Sequence, residues 1–226
     1  GPDPRRRHRS GAWTALTVVE VLLAVVTVAL DLLLPSLVLV VLAGLSLLVR
    51  REGPSTLGFH RLRHPGGELL QVAALALGWT TVVFLVVMPV TEHLTGTTQD
   101  TSEFAELEGD LPRLLLFVAL SWTLAALVEE LAFRGTLLGL LRGRLSTISA
   151  VAVCSILFGL WHLNSVLYDD AGNLAVVTAA GTVVATTIAG VGFAWLRIRS
   201  DSLVAPIVAH TATNSLTFAI AWAVAR

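Results

Sequence analysis

Long uninterrupted apolar segments constrain this sequence more than any other feature. Seven of them follow one another along the chain, at 12–34, 36–49, 69–91, 111–141, 145–168, 174–196 and 202–225. A helix needs about 20 residues to cross the hydrocarbon core of a bilayer, and all but the second segment reach that length. Charged residues make up only 14% of the chain, so a soluble fold would lack a charged exterior. The sequence therefore predicts an all-α fold, a polytopic transmembrane bundle of about seven helices.

The arginine residues predict the orientation of this bundle. Basic residues near helix ends collect on the cytoplasmic side of a membrane. Twelve arginines fall in alternate connections of a seven-helix arrangement, namely Arg5, Arg6, Arg7, Arg9, Arg50, Arg51, Arg61, Arg63, Arg142, Arg144, Arg197 and Arg199. The connection at 92–110 is acidic instead. We therefore expect a cytoplasmic N-terminus and a C-terminus on the other side.

Domain organisation and partners follow from the same composition. Residues 1–11 form a basic cytoplasmic arm, in which 1–2 look like the remnant of a cleaved tag, and 12–226 form a single transmembrane domain. A net charge of −1 offers no basic surface to nucleic acid, and Cys154 alone cannot form an intrachain disulfide. All 15 basic residues are Arg, which we interpret as a GC-rich genome and hence a bacterial plasma membrane. The expected partner is the lipid bilayer, and no pattern indicates an oligomeric state.

Three charges lie close together in the fourth apolar segment, at Glu129, Glu130 and Arg134. A charge at mid-bilayer costs about 2.5–3.5 kcal/mol on insertion scales, so such residues usually face the bundle interior and mark function. Glu130 and Arg134 are four residues apart and can pair on one helix face. Such a pair can simply order the helices. Glu129 is rotated by about 100° from Glu130 and points elsewhere, and one Arg cannot neutralise two carboxylates.

Two further segments carry polar residues at helical spacing. Phe158 precedes His162 by four residues, and His210 precedes Asn214 by four. A lone buried His is more often structural than catalytic. A carboxylate, two imidazoles and an amide on separate spans instead predict one shared site, and these groups suit hydrolysis. By contrast, we interpret the glycines of segment six as sites of close helix packing: Gly181, Gly190 and Gly192.

The pattern resembles the CPBP intramembrane proteases, also called the CAAX protease and bacteriocin-processing, or Abi, family. The matching motifs are Glu129-Glu130-x-x-x-Arg134, Phe158-x-x-x-His162 and His210-x-x-x-Asn214. They stand in the family's order, each on its own predicted span, within residues 110–225. The resemblance implies an intramembrane endopeptidase that hydrolyses a peptide bond of a peptide or membrane-protein substrate.

The family's roles carry over by motif position. The resemblance implies that Glu129 is the general base that activates water, with His162 assisting it. It also implies that His210 and Asn214 stabilise the oxyanion. Supporting positions are Glu130, Arg134 and Phe158. Because prenylated CAAX substrates are not expected in a bacterium, we predict another peptide, such as a leader peptide, cut near the cytoplasmic leaflet.

The participation of a metal is open at this level. Glu129, His162 and His210 can together bind Zn²⁺ and leave one position for water, while the resemblance also implies a metal-free glutamate mechanism. Soluble zinc proteases usually place two His four apart on one helix. No such pair exists here, which favours the metal-free mechanism. We expect either no cofactor or one divalent metal ion.

Two other functions compete with hydrolysis. A non-catalytic membrane scaffold or bacteriocin self-immunity protein would use the ion pairs only to order its helices. A secondary transporter would use Glu129 and His162 as a proton relay, although no internal repeat supports that arrangement.

Overall fold

The structure is a computed structural model that describes residues 35–96, 111–119, 123–163, 166–167 and 175–224, with the single residues Ala15, Val18, Val19 and Leu22. The predicted arm at 1–11, most of the predicted first span at 12–34 and most of the acidic connection lie outside the described residues.

Every regular element within the described ranges is helical, which confirms the all-α prediction for that part of the chain. The helices are α1 (Pro35–Arg50), α2 (Pro65–Thr95), α3 (Leu111–Phe117), α4 (123–142), α5 (Thr147–Trp161), α6 (Val176–Ser200) and α7 (Val204–Val224). A short 3₁₀ turn, Pro54–Leu57, lies between α1 and α2. Two helices contain a widened π turn, α2 at Val83–Val87 and α4 at Leu131–Leu137.

The predicted segments from 36–49 onwards each correspond to helical structure, but the prediction for 145–168 is too long. Helix α5 ends at Trp161, and the next two backbone amides, of His162 and Leu163, bond three residues back, to Gly159 O and Leu160 O. Such tighter bonds close a helix end. The sequence beyond this point holds Asn, Asp and Gly, which favour turns over helix.

Two of the described helices, α2 with 31 residues and α6 with 25, are long and apolar enough to cross a membrane. Helix α5 is apolar but shorter. Large aliphatic side chains on α2 are highly exposed, with Leu70 at 71% and Leu85 at 72%. Exposed apolar surface of this extent is unusual on a monomeric soluble protein. The number of spans and the orientation of the termini stay predictions.

The core lies where α4, α5, α6 and α7 meet. Phe133, Phe158 and Phe193 come from three of these helices and are each at most 2% exposed. Edge-on contacts join Phe158 to both other rings, at centroid distances of 5.2 and 6.3 Å. Gly159 lets α5 approach α6 closely, because a Cβ there would collide with Thr187. This aromatic core is the frame on which the polar residues of the motifs are placed.

The predicted arginine-rich connections after α1 and α6 lie together at one end of the bundle. Leu203 N donates to Gly58 O at 2.7 Å, and Ser202 Oγ donates to His60 O at 2.6 Å. An exposed ion pair joins Arg63 to Asp201 at 2.7 Å. These contacts fix where α6 ends and where α7 begins. They therefore also fix how far along the bundle the motif residues of α7 lie.

Glycine is required at position 58 of this junction. Gly58 has a φ of +96°, and a Cβ there would collide with the guanidinium of Arg197, which donates to Leu57 O. We expect Gly58→Ala to destabilise the protein by about 2 kcal/mol or more, because left-handed strain and displacement of Arg197 add. Gly96→Ala is the matched control, since Gly96 has a φ of +69° and open space around it. Denaturant unfolding in detergent measures the free energy of unfolding of both variants. Equal losses of stability would show that the collision with Arg197 contributes nothing to the effect at Gly58.

Candidate active site

Helix α4 carries its charged residues at a change of helical geometry. Glu129 and Glu130 end the α-helical part, and the π turn Leu131–Leu137 follows at once, with Arg134 inside it. Thr136 Oγ1 donates to Leu131 O five residues back, at 3.3 Å. A π turn of this kind often lies at a functional site. Both carboxylates precede this π turn, so the turn sets the position of Arg134 relative to them.

The predicted pair of Glu130 and Arg134 forms and is completely buried. Arg134 Nη1 donates to Glu130 Oε1 at 2.9 Å, and both side chains are 0% exposed. Arg134 Nη2 donates to the backbone oxygen of Gly190 on α6 at 3.1 Å. The guanidinium carbon lies 4.1 Å from the centroid of the Phe158 ring, within the range of a cation–π contact. The arginine is therefore held on three sides.

His210 is oriented by the same glutamate. Its Nδ1 lies 3.0 Å from Glu130 Oε1, the oxygen that also accepts from Arg134. An ionised carboxylate only accepts hydrogen bonds, so Nδ1 of His210 is the donor. The imidazole stacks on the ring of Phe193 with centroids 4.7 Å apart and an angle of 20° between the planes. With Nδ1 engaged, Nε2 faces Glu129, whose Oε2 is 3.9 Å away.

His162 reaches the same carboxylate from the end of α5. Its Nδ1 lies 2.8 Å from Phe158 O, and since a carbonyl can only accept, Nδ1 donates here too. Although His162 follows the last helical residue, its backbone remains near helical geometry and its ring meets Phe158 edge-on at 4.8 Å. Nε2 of His162 lies 3.9 Å from Glu129 Oε2.

Glu129 Oε2 is thus the point on which both imidazoles converge. It is buried and makes no hydrogen bond to another described group of the protein. A separation of 3.9 Å to each Nε2 is too long for a direct hydrogen bond, and a polar contact of this length can be bridged by water. With Nδ1 donating, Nε2 of each neutral ring is an acceptor. All three converging atoms can therefore accept hydrogen bonds from water.

Side-chain exposure rises across the site. Glu130 and Arg134 are 0% exposed, His210 7%, Glu129 13% and His162 25%. The ion pair forms the dry inner wall, and the site opens on the side of His162. Asn214 lies one turn beyond His210 on α7 and is partly buried.

Sequence reasoning missed two residues of the site, Gly190 and Phe193. Gly190 was interpreted only as a place of close packing, but its carbonyl also accepts from Arg134. Phe193 is one of eight phenylalanines in an apolar chain and stands in none of the motifs. The hydropathy of Phe193 does not distinguish it from the other apolar residues around it, so the sequence alone does not identify it as part of the site.

As placed, the three proposed ligands do not form a metal site. Donor atoms bound to one tetrahedral Zn²⁺ lie about 3.4 Å apart, given bonds of about 2.0–2.2 Å. Both imidazole nitrogens are 3.9 Å from the carboxylate oxygen, and the described residues hold no group of three or more ligands with metal-binding geometry. The side chains would have to move by about 0.5 Å to bind one ion together, and the expectation of no cofactor or one divalent metal ion stays a prediction.

Comparison with known proteins agrees with the motifs. Residues 111–216 match the family model described as type II CAAX prenyl endopeptidase Rce1-like. The matched region, a little under half of the chain, contains every motif residue, and it confirms the resemblance that the motifs predicted. No match was found among curated proteins or among solved structures.

The two adjacent glutamates should differ in their contribution to stability. We expect Glu130→Gln to lower the free energy of unfolding by about 3–5 kcal/mol, because it leaves the buried Arg134 without its counter-charge. Glu129→Gln is the matched control and should be neutral or slightly stabilising, since Glu129 Oε2 has no hydrogen bond to lose. Denaturant titration of both variants in the same detergent measures the difference. Equal losses would contradict the division between a paired and an unpaired carboxylate.

Proposed function

Because residues 111–216 match the family model described as type II CAAX prenyl endopeptidase Rce1-like, we propose that this protein is an intramembrane endopeptidase. One observation carries the proposal, the convergence of His162 Nε2 and His210 Nε2 on Glu129 Oε2 at 3.9 Å each. These three groups come from α4, from the residue that follows α5, and from α7.

Glu129 acts as the general base. Its carboxylate takes a proton from the water, whose oxygen attacks the carbonyl carbon of the scissile peptide bond. Nε2 of His162 accepts a hydrogen bond from the second O–H of the water and so fixes the direction of attack, and that hydrogen stays on the product carboxyl group. When the tetrahedral intermediate collapses, the carbon–nitrogen bond breaks and the protonated Glu129 returns its proton to the leaving amine. The proton count closes, and Glu129 ends the cycle ionised.

His210 and Asn214 stabilise the oxyanion. The side-chain amide of Asn214 is a hydrogen-bond donor. His210 can donate from Nε2 only as an imidazolium, so its neutral ring takes up a proton from solvent for this step and returns it afterwards, while Nδ1 stays bonded to Glu130. Loss of one donor to an oxyanion typically costs about 3 kcal/mol of transition-state stabilisation. The ion pair of Glu130 and Arg134, together with Phe158, holds His210 in place.

The substrate approaches from the side of His162, where the site opens. We propose a peptide or a membrane-protein segment as substrate, such as a leader peptide cut near the cytoplasmic leaflet. The proposed surroundings are those of a multi-pass bundle with a cytoplasmic N-terminus, supported by the apolar side chains exposed along α2 and α6. A non-catalytic scaffold gives no reason for two imidazoles to converge on Glu129 Oε2.

Replacement of the base tests the proposal. We expect Glu129→Gln to reduce cleavage of a peptide library in detergent by about 10²–10⁴-fold, since the amide cannot take the proton from water. Folding should be retained, as judged by gel filtration and unfolding midpoint. Glu52→Gln, the same substitution outside the site, should cleave like the wild type. Full activity in Glu129→Gln would overturn the proposal, and unfolding of the variant without any wild-type cleavage would support the scaffold.

Metal dependence is tested on the same preparation. Because the three donor atoms are spaced more widely than the ligands of one tetrahedral Zn²⁺, we propose that hydrolysis needs no metal ion. Activity should persist after treatment with 1,10-phenanthroline or EDTA, and elemental analysis should find less than one transition-metal ion per active chain. Loss of activity with chelator and recovery on adding Zn²⁺ would show a metal-dependent enzyme instead.

A further inference from the structure

Helix α6 carries none of the three motifs, yet two of its residues lie directly behind them. Gly190 and Phe193 are three residues apart and so occupy the same face of the helix. Both are buried, and both contact the layer of side chains that orients His210.

Gly190 leaves room for Arg134 and accepts a hydrogen bond from it. Its carbonyl oxygen is 3.1 Å from Arg134 Nη2. A Cβ at this position would lie 3.0 Å from the same nitrogen, 3.2 Å from Phe158 Cδ1 and 3.3 Å from Ser155 Cα. Two of these neighbours, the Phe158 ring and the Ser155 backbone, belong to packed α5. A methyl group here would therefore displace mainly Arg134, which is joined through Glu130 to His210.

Phe193 supports the imidazole of His210 directly. The two rings are nearly parallel, with centroids 4.7 Å apart, while Phe158 meets the same imidazole edge-on at 5.8 Å. Phe193 is 2% exposed and lies 5.4 Å from the Arg134 guanidinium. One face of the imidazole is thus covered by Phe193, its Nδ1 is bonded to Glu130, and Nε2 is left to face Glu129.

We propose that Gly190 and Phe193 are positioning residues. From α6, behind the Arg134–Glu130 pair, Gly190 holds Arg134 and Phe193 supports the His210 ring, and together they keep His210 Nε2 directed towards Glu129. The inference rests on the proposed hydrolytic function for its kinetic consequence. Its structural consequence, a single tautomer and orientation of His210, is independent of any substrate. A shift in either position moves His210 without removing any group that touches the reacting atoms.

The experiment compares two variants with two controls on the same helix. Gly190→Ala adds the methyl group, and Phe193→Leu removes the stacked ring. The controls are Gly181→Ala, where the nearest atom to the new Cβ is 3.5 Å away, and Trp195→Leu, where the aromatic ring is exposed. The full chain is labelled with ¹⁵N-histidine in detergent, and the His210 ring signals are assigned from their loss in His210→Gln.

In the wild type and in both controls we expect the ¹⁵N shifts of a His210 ring protonated at Nδ1. In Gly190→Ala and Phe193→Leu these ¹⁵N signals should shift, or should split into two sets that belong to the two tautomers of the His210 ring. For peptide cleavage we expect a fall in kcat of about 10–100-fold with KM unchanged, as is typical when a supporting residue is lost. The controls should keep the wild-type kcat.

A wild-type His210 spectrum in both variants would overturn the proposal, and so would a wild-type kcat. If Gly190→Ala does not fold, Phe193→Leu alone decides, because it leaves the hydrogen bonds of Arg134 to Glu130 and to Gly190 in place. If the spectrum changes as expected but no form of the protein cleaves peptides, the positioning role stands and the proposed hydrolysis fails. The two inferences can therefore fail separately.

Discussion

One oxygen of the Glu130 carboxylate joins two helices and fixes the geometry of everything around it. Glu130 Oε1 accepts from Arg134 Nη1 at 2.9 Å and from His210 Nδ1 at 3.0 Å, in surroundings where both charged side chains are 0% exposed. A buried pair of this kind gains little net stability, but losing one partner is very costly. Most other packings of α4 against α7 would break one of these two hydrogen bonds and are therefore unfavourable. The packing that keeps both also sets the direction of the His210 ring.

The neighbouring carboxylate lies in different surroundings. Glu129 is covalently adjacent to Glu130, and the helical rotation of about 100° between successive residues separates the two side chains. Glu130 Oε1 accepts from Arg134 and from His210, whereas Glu129 Oε2 lies 3.9 Å from Nε2 of His162 and from Nε2 of His210. The first carboxylate therefore joins two helices, and the second faces the two imidazoles.

The sequence was informative where polar residues stand against an apolar background. Glu129, His162 and His210 were recognisable because each interrupts a predicted span, and the ion pair followed from helical spacing. Contacts among apolar residues have no such contrast, so Phe193 could not be told from other core aromatics. The early end of α5 was missed because Leu163, Val166 and Leu167 continue the apolar segment past Trp161 and outweighed the turn-forming residues among and beyond them. The helix is closed by backbone bonds and by His162 bonding to Phe158 O. The π turn of α4, Leu131–Leu137, was also not predicted, because no feature of the residue pattern there indicates it.

The gradient of exposure divides the site into a dry side and a more accessible side. At its inner side the charges are fully buried, and a low local dielectric strengthens the hydrogen bonds that orient His210. At its outer side Glu129 and His162 are 13% and 25% exposed. If the order were reversed, water at the ion pair would weaken the orientation of His210. The two adjacent glutamates therefore lie on opposite sides of the gradient, with Glu130 on the dry side, where it orients His210, and Glu129 on the side that solvent reaches.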